Sequence, residues 1–354
     1  MTIEHRAVVA IGGNALILDG QRGSIDEQYE NARDTARHIA ALVAKGWGVV
    51  VTHGNGPQVG FILLRSELVP DDAPVPRLNL EMSVADSQGG IGHILGQALL
   101  NELAAQGLPD RVACVLSHVV VDPDDPAFGR PTKPIGPFYS KKESAQKAER
   151  NRWTMIEDSG RGYRRVVASP EPLRIVEGEP IRALVDAGFV VIAVGGGGVA
   201  VVETAPGRYR GVEAVIDKDR ASALLASSLD IPLLVLSTGV ERVAVHFRQP
   251  DERWVDRMAI DEARQYLEAG EFPKGSMGPK VEAAIRFLER GGQEVLITTP
   301  AALERAIVGE TGTRSASCPI RCRREHETKE AKRCCPPRRS RTNSSSIQRP
   351  RPWS

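Results

Sequence analysis

The sequence predicts an α/β protein built on a mainly parallel central sheet, and three observations carry that prediction. Short apolar runs without alternation recur along the chain: AVVAI (7–11), GVVVT (48–52), GFVVIAV (188–194), PLLVLS (232–237) and EVLITT (294–299). Strands covered on both faces read in this continuous way. Long helical patterns separate them, as in parallel strands joined by right-handed crossover helices. Three of the runs end in glycine-rich turns, which gathers those turns along the C-terminal edge of the sheet, where open sheets bind ligands.

Taken in order, AVVAI ends in Gly12, Gly13 and Asn14. The stretch 24–46 predicts a helix: Ser24 and Glu27 have capping-box spacing, Ile39, Leu42 and Val43 give an apolar stripe, and Gly46 stops it. GVVVT runs into HGNGPQVG (53–60), and a helix of roughly two turns follows. Residues 83–107 predict a helix despite their glycines, and VACVLSHVVV (112–121) is strand-like. GFVVIAV ends in Gly195–Gly198, and helices are expected at about 218–228, 260–269 and 279–290. Residues 122–170 break the rhythm with several prolines and a charged stretch, which predicts an excursion from the sheet: a small subdomain or lid. From about 315 onward Arg, Ser, Pro and Cys replace any apolar period, which predicts disorder.

The near-neutral total hides a split. Residues 315–354 hold eleven Lys/Arg against three Asp/Glu, so the rest of the chain holds 35 against 42 and is mildly acidic. A nucleic-acid reading would rest on the tail alone, so no nucleic-acid partner is expected. Four of the five cysteines (Cys318, Cys322, Cys334 and Cys335) lie in the tail, and only Cys114 lies in the body. A disulfide scaffold is excluded for the body, and a reducing cytoplasm suits it. Together with His326, the tail cysteines fit no strong zinc spacing. The first apolar run is too short for a signal peptide, and no segment approaches the length of a membrane span.

Glycine lets backbone N–H groups turn towards an anion without a Cβ in the way. One such turn after a strand is unremarkable, but GGN, HGNG and GGGG at one edge form a set. His53 in the second turn suits a hydrogen-bonding or core role better than catalysis. Two lysines stand at predicted helix openings: Lys218 in AVIDKDRASALLA, and Lys280 directly after Pro279, a good first-turn proline. A cation there opposes the helix dipole at a cost of about 0.3–1 kcal/mol, unless an anion lies between the two. Asp217 and Asp219 flank Lys218; they could aim it, hold Mg²⁺ through water, or cap the helix. A third lysine, Lys133 in RPTKPIGPFYSKK (130–142), sits between Pro131 and Pro134 on a stiff, non-helical mount. Several lysines, glycine loops and an acidic residue suit phosphoryl transfer, where positioning and charge neutralisation do most of the work. The chain has neither a G-x-x-x-x-G-K-[ST] loop nor an H-R-D catalytic loop.

The blocks VVAIGGNAL, VVVTHGNGPQVG, VVVDPDDPAF, PTKPIGPF, EDSGRGYRRVVASPEP, GVEAVIDKD and GSMGPKVEAAIRF, taken in order, resemble the carbamate kinases of the amino acid kinase superfamily. The resemblance runs from about residue 6 to Arg314. It implies an open αβα sandwich with two lobes and a protruding lid-like subdomain. Residues 1–211 would form a carbamate and carbamoyl phosphate lobe that carries the excursion 122–170. Residues 212–314 would form a nucleotide lobe, with 315–354 as a tail. It further implies a cytoplasmic homodimer that transfers phosphate between ATP and carbamate with Mg²⁺ accompanying the nucleotide, commonly used to make ATP from arginine. By position, Gly12, Gly13, Asn14, Gly54 and Asn55 would bind the carbamoyl group. Lys218, Asp219, Thr238, Val240, Met277 and Lys280 would bind the nucleotide, and Lys133, Lys218, Lys280 and Asp217 would be catalytic, with Asp217 organising the lysines. No protein set of metal ligands is implied. Relatives elsewhere in the superfamily carry a lysine two residues before the first Gly-Gly pair; here that residue is Ala10, and Lys133 looks like its substitute. The family usually ends with a short apolar segment that closes the sheet, whereas SASCPIRCRR follows Arg314 here, which puts the last strand in doubt. The alternatives are a related acetylglutamate or isopentenyl phosphate kinase, against which Ala10 and PTKPIGPF argue, and a nucleotide-binding module without catalysis.

Overall fold

The apolar runs become strands with both faces buried. The computed structural model describes residues 5–12, 16–18, 20–70, 72–158, 160–273 and 275–316. The first half begins with β1 (His5–Ile11), α1 (Ile25–Ala44), β2 (Trp47–His53), α2 (Gln58–Glu67), α3 (Leu80–Ala105), β3 (Val112–Val115) and β4 (His118–Val120). The excursion follows as β5 (Lys133–Tyr139), α4 (Lys141–Asn151), β6 (Thr154–Glu157) and β7 (Tyr163–Val167). The chain then returns through β8 (Arg174–Ile175), α5 (Gly178–Asp186), β9 (Val190–Ala193), β10 (Val199–Ala205) and β11 (Arg208–Gly211). The remainder is α6 (Lys218–Ser228), β12 (Leu233–Ser237), β13 (Val243–Val245), β14 (Arg253–Val255), α7 (Ile260–Glu268), α8 (Met277–Glu289), β15 (Glu294–Thr298), α9 (Leu303–Ile307) and β16 (Thr313–Ala316).

The central sheet has seven strands in the order β16-β15-β12-β1-β2-β9-β3 and is parallel except at β16. Successive residues of β1 face opposite ways. Val8 and Ala10 pack with α5, α6 and α8, while Ala7, Val9 and Ile11 pack with α1, α3 and α9. That period of two with both faces covered gives the three-layer αβα sandwich. The sheet runs unbroken across the expected lobe boundary at 211/212, because β12 pairs with β1. α1 starts where its capping box places it: Glu27 N–H donates to Ser24 Oγ, and Ser24 N–H donates back to Glu27 Oε2 at 2.8 Å.

Two expectations need correction. Residues 112–121 are not one strand. β3 closes the edge of the central sheet, and β4 joins a second sheet in the order β11-β10-β4-β8. The switch falls at Leu116–Ser117, where buried Ser117 donates its Oγ to the Val115 carbonyl of β3, accepts there from the Val194 N–H, and donates its own N–H to Gln88 Oε1 of α3. The final strand is also present: β16 pairs antiparallel with β15, Thr313 opposite Ile297 and Ser315 opposite Val295. TRSA has no apolar signal because the strand is held by its ladder and by Thr313 and Ser315 facing inward. Ser315 and Ala316 therefore belong to the fold. The rest of the expected tail, 317–354, lies outside the described residues, as do its cysteines and His326.

The excursion is a three-stranded antiparallel sheet, β5-β7-β6, with α4 against it. β5 is an edge strand, which is where prolines such as Pro134 and Pro137 can sit without removing a needed ladder donor. Its inner residue Ile135 joins Val59 and Leu63 of α2, Leu80 and Val84 of α3, and Val167 in a small core that ties the excursion to the body.

Candidate active site

A cleft of about 770 Å³ opens over the C-terminal ends of β1, β2, β9, β12 and β15. Its wall includes Gly12 after β1, Gly54–Gly56 after β2, Gly196 after β9, Ser237–Gly239 at the end of β12 and Thr299 after β15. Lys133, Asp217, Lys218, Asp219 and Lys280 line the same cleft. Three segments far apart in sequence thus deliver three ammonium groups to one place.

Each arrives for a local reason. Asp217 is the N-cap of α6: its Oδ1 accepts from the Asp219 and Arg220 backbone N–H groups at 3.0 and 3.4 Å. Its other oxygen, Oδ2, accepts from Lys133 Nζ at 2.7 Å, so capping and lysine placement are one act. Lys218 is the first residue of α6 and donates to Asp219 Oδ1 at 2.6 Å. Lys280 stands one turn into α8, after Pro279, and donates to Asp219 Oδ2 at 3.0 Å. The two aspartates divide the work: Asp217 holds the lysine of the excursion, and Asp219 bridges the two helix lysines. The expectation that Asp217 organises the lysines does not distinguish it from Asp219, because adjacent carboxylates look alike in sequence.

Burial and charge set the protonation states. Burial pushes the Asp217 carboxyl upward, but Lys133, Lys218 and Arg220 outweigh it and hold the group well below the usual carboxylate range. Asp219 behaves alike: burial raises it, and Lys218 and Lys280 bring it below its ordinary value. Lys218 is lowered to about 8, by burial first and by the nearby Lys280 charge, with Asp219 opposing. Both carboxylates stay ionised near neutral pH, where three ammonium groups face two of them.

The glycine turns are close approaches rather than slack. Gly196 has φ 68° and its Cα faces the Asn55 side chain, so a Cβ there would overlap Asn55 Oδ1. Asn55 Nδ2 donates to the Gly196 carbonyl at 3.1 Å and closes the β2 turn onto the β9 turn. His53 is buried outside the cleft wall, with Nδ1 3.0 Å from the Gly54 carbonyl. Burial, with a further push from Lys218, lowers it to about 4, so it is neutral and matches the hydrogen-bonding role expected of it.

The expected site residues sort as follows. Gly12, Gly54, Asn55, Lys133, Asp217, Lys218, Asp219, Thr238 and Lys280 lie on the cleft. Val240 and Met277 do not form its wall; Met277 is half-buried at the start of α8 against the core, and the neighbouring Gly275 and Ser276 line the cleft instead. Gly13 and Asn14 lie outside the described residues. Sequence reasoning missed Ser237 and Thr299, and also Asp34, Arg37 and His38 of α1, which form part of the wall. Nothing in their spacing distinguishes them from an ordinary helix face or strand end.

The sequence profile of the amino acid kinase family matches residues 5–299. The chain belongs to the amino acid kinase family. Within that family it is 46% identical over 309 residues to the carbamate kinase of Thermococcus kodakarensis, across 87% of this chain and 98% of that one. It is 49% identical over 313 residues to the carbamate kinase-like protein YahI of Escherichia coli K12, across 88% of this chain and 98% of that one. The solved carbamate kinase from Giardia lamblia bound to AMP-PNP superposes with a TM-score of 0.82 at 38% identity, covering 89% of this chain and 99% of that one. As an amino acid kinase family fold, the chain places its cleft at the strand C-termini, the edge the glycine turns predicted.

Proposed function

We propose that this protein is a carbamate kinase, catalysing ATP + carbamate ⇌ ADP + carbamoyl phosphate. The observation that carries the reading is the meeting of Lys133, Lys218 and Lys280 around Asp217 and Asp219 on one cleft. Both substrates are anionic, and the migrating phosphoryl group spreads charge over its oxygens. A carbamate oxygen attacks the γ-phosphorus while the bond to the β–γ bridging oxygen breaks and its electrons remain on ADP. Lys133 reaches the cleft from the excursion and meets Asp217. The glycine turns, Gly12, Gly54 and Asn55, line the same cleft, and we assign them with Gly13 and Asn14 to the carbamoyl group. Lys218 and Lys280, at the openings of α6 and α8, face the nucleotide phosphates, with Thr238 and Gly275–Ser276 towards the nucleotide. When phosphates enter, the ammonium groups exchange their aspartate partners for phosphate oxygens, and the aspartates hold them within reach.

Mg²⁺ suits this site as an ion that comes with the nucleotide, neutralising phosphate charge. Asp217 and Asp219 already spend oxygens on lysines, and no group of three or more metal-ligating side chains gathers among the described residues. We infer a cytoplasmic homodimer that makes ATP during arginine breakdown, on the strength of the motif resemblance; no helix among the described residues is long and apolar enough to cross a membrane. The test is coupled ATP formation from ADP offered with carbamoyl phosphate, acetylglutamyl phosphate or isopentenyl diphosphate. ATP from carbamoyl phosphate alone is expected. ATP from another donor reassigns the acceptor, and nucleotide binding without turnover on any donor overturns the enzyme reading.

A further inference from the structure

A chain of buried polar side chains leads from α3 to both glycine turns. Ser87 Oγ donates to Asn55 Oδ1 at 2.5 Å, and Asn55 Nδ2 donates to the Gly196 carbonyl. The next residue, Gln88, takes the Ser117 backbone at both ends: Ser117 N–H donates to Gln88 Oε1 at 2.7 Å, and Gln88 Nε2 donates to the Ser117 carbonyl at 3.3 Å. Ser117 Oγ in turn accepts from the Val194 N–H at 2.9 Å. Ser87 and Gln88 are each 2% exposed and Ser117 is 0% exposed.

Val194 shows why the chain is needed. It opens the glycine turn with φ 53°, a left-handed conformation that a β-branched residue rarely takes. Such a conformation persists only where its surroundings hold it, and the Ser117 hydroxyl binds its N–H. Gly196, Gly197 and Gly198 continue with positive φ, so the turn has little stiffness of its own. Its shape is held from outside: Gly197 and Gly198 pack closely on Ile216 and Val119, and the hydrogen bonds that tie it to the Gly54–Gly56 turn and to Ser117 run back to two adjacent residues of one helix. Asn55 spends both ends of its amide on this frame, which leaves backbone groups of the turns to face the acceptor.

We propose that Ser87, Gln88 and Ser117 are positioning residues that hold the two glycine turns at the spacing the carbamoyl group requires. This rests on the carbamate kinase reading. The nucleotide end has its own supports, α6, α8 and Asp219, so damage to the chain should fall on one substrate.

The test uses Ser117→Ala and Ser87→Ala in the full-length protein, with both KM values measured in the ATP-forming direction. The expected result is a rise of about tenfold in KM for carbamoyl phosphate, the usual effect of losing one buried hydrogen bond, with KM for ADP unchanged within about twofold. Ser87→Thr, which restores the hydroxyl, should restore the acceptor KM. Should Ser117→Ala fail to fold, the Ser87 pair carries the comparison, since it leaves the Ser117 bonds intact. Equal changes in both KM values, no change in either, or failure of Ser87→Thr to restore the acceptor KM would overturn the proposal. Wild-type protein inactive on carbamoyl phosphate would overturn the functional reading, and this one with it.

Discussion

Lys218 begins a helix with its charge set against the helix dipole, inside a site that also holds Lys280. Its lowered affinity for a proton, to about 8, has two consequences that differ in sign of use. For stability, the unfolded chain holds the proton up to about 10.5 and the folded chain only to about 8, so this group adds stability as pH rises across that window. For activity, the charged form is the useful one. We expect kcat/KM, which reports the free enzyme, to fall as pH rises through about 8. Saturating substrates place anions beside the ammonium group and should move the same limb in kcat to higher pH. Coincident limbs would show that Lys218 does not meet the phosphates. His53 acts in the same sense at the acid end. It is held neutral down to about 4 against an ordinary 6.5, so stability should fall as pH drops across that range. Urea melts should show that slope in the wild type and lose it in His53→Gln. The lysines were legible as residues because each broke a local rule, a cation at a helix start or between prolines. Ser87, Gln88 and Ser117 break no rule in sequence, and only burial and partners reveal them.

β5 shows how an element positions one side chain. It is an edge strand stiffened by prolines and tied to the body through α2, with Lys133 as its first residue. Gly60 of α2 lies so close to Gly136 of β5 that an added Cβ would overlap the Gly136 backbone. Gly60→Ala should therefore push β5 outward, costing about 1–3 kcal/mol, and should lower kcat more than the stability loss suggests, because Lys133 moves with the strand. Thermal melts beside kcat check this; a kcat equal to wild type in a destabilised variant would separate β5 from catalysis. The parallel strands were readable from apolar runs, and α1 from its capping box. The split of 112–121 and strand β16 were not, since a sheet switch at a serine and a polar edge strand carry no apolar signature. The second of these matters for truncation. Ending the chain after Ala316 should leave both activity and the melting temperature near wild type, whereas ending it after Gly312 strips β16 from β15 and should destabilise the protein.

At the scale of the molecule, one sheet runs through the segments expected as two lobes, and its C-terminal edge collects what the sequence scatters. β2 and β9 bring the glycine turns, α6 and α8 follow β11 and α7 to bring two lysines, and the excursion reaches over to bring the third. Ala10 is buried in the sheet with no charge to offer, whereas Lys133 comes to the cleft from outside the sheet and bonds Asp217. The claim that this distant lysine acts on the transferring group is tested most directly by the single-turnover rate of phosphoryl transfer from carbamoyl phosphate to ADP in Lys133→Ala. The rate should fall by about a hundredfold or more while the melting temperature stays near that of the wild type. A wild-type rate in the folded variant would contradict the account.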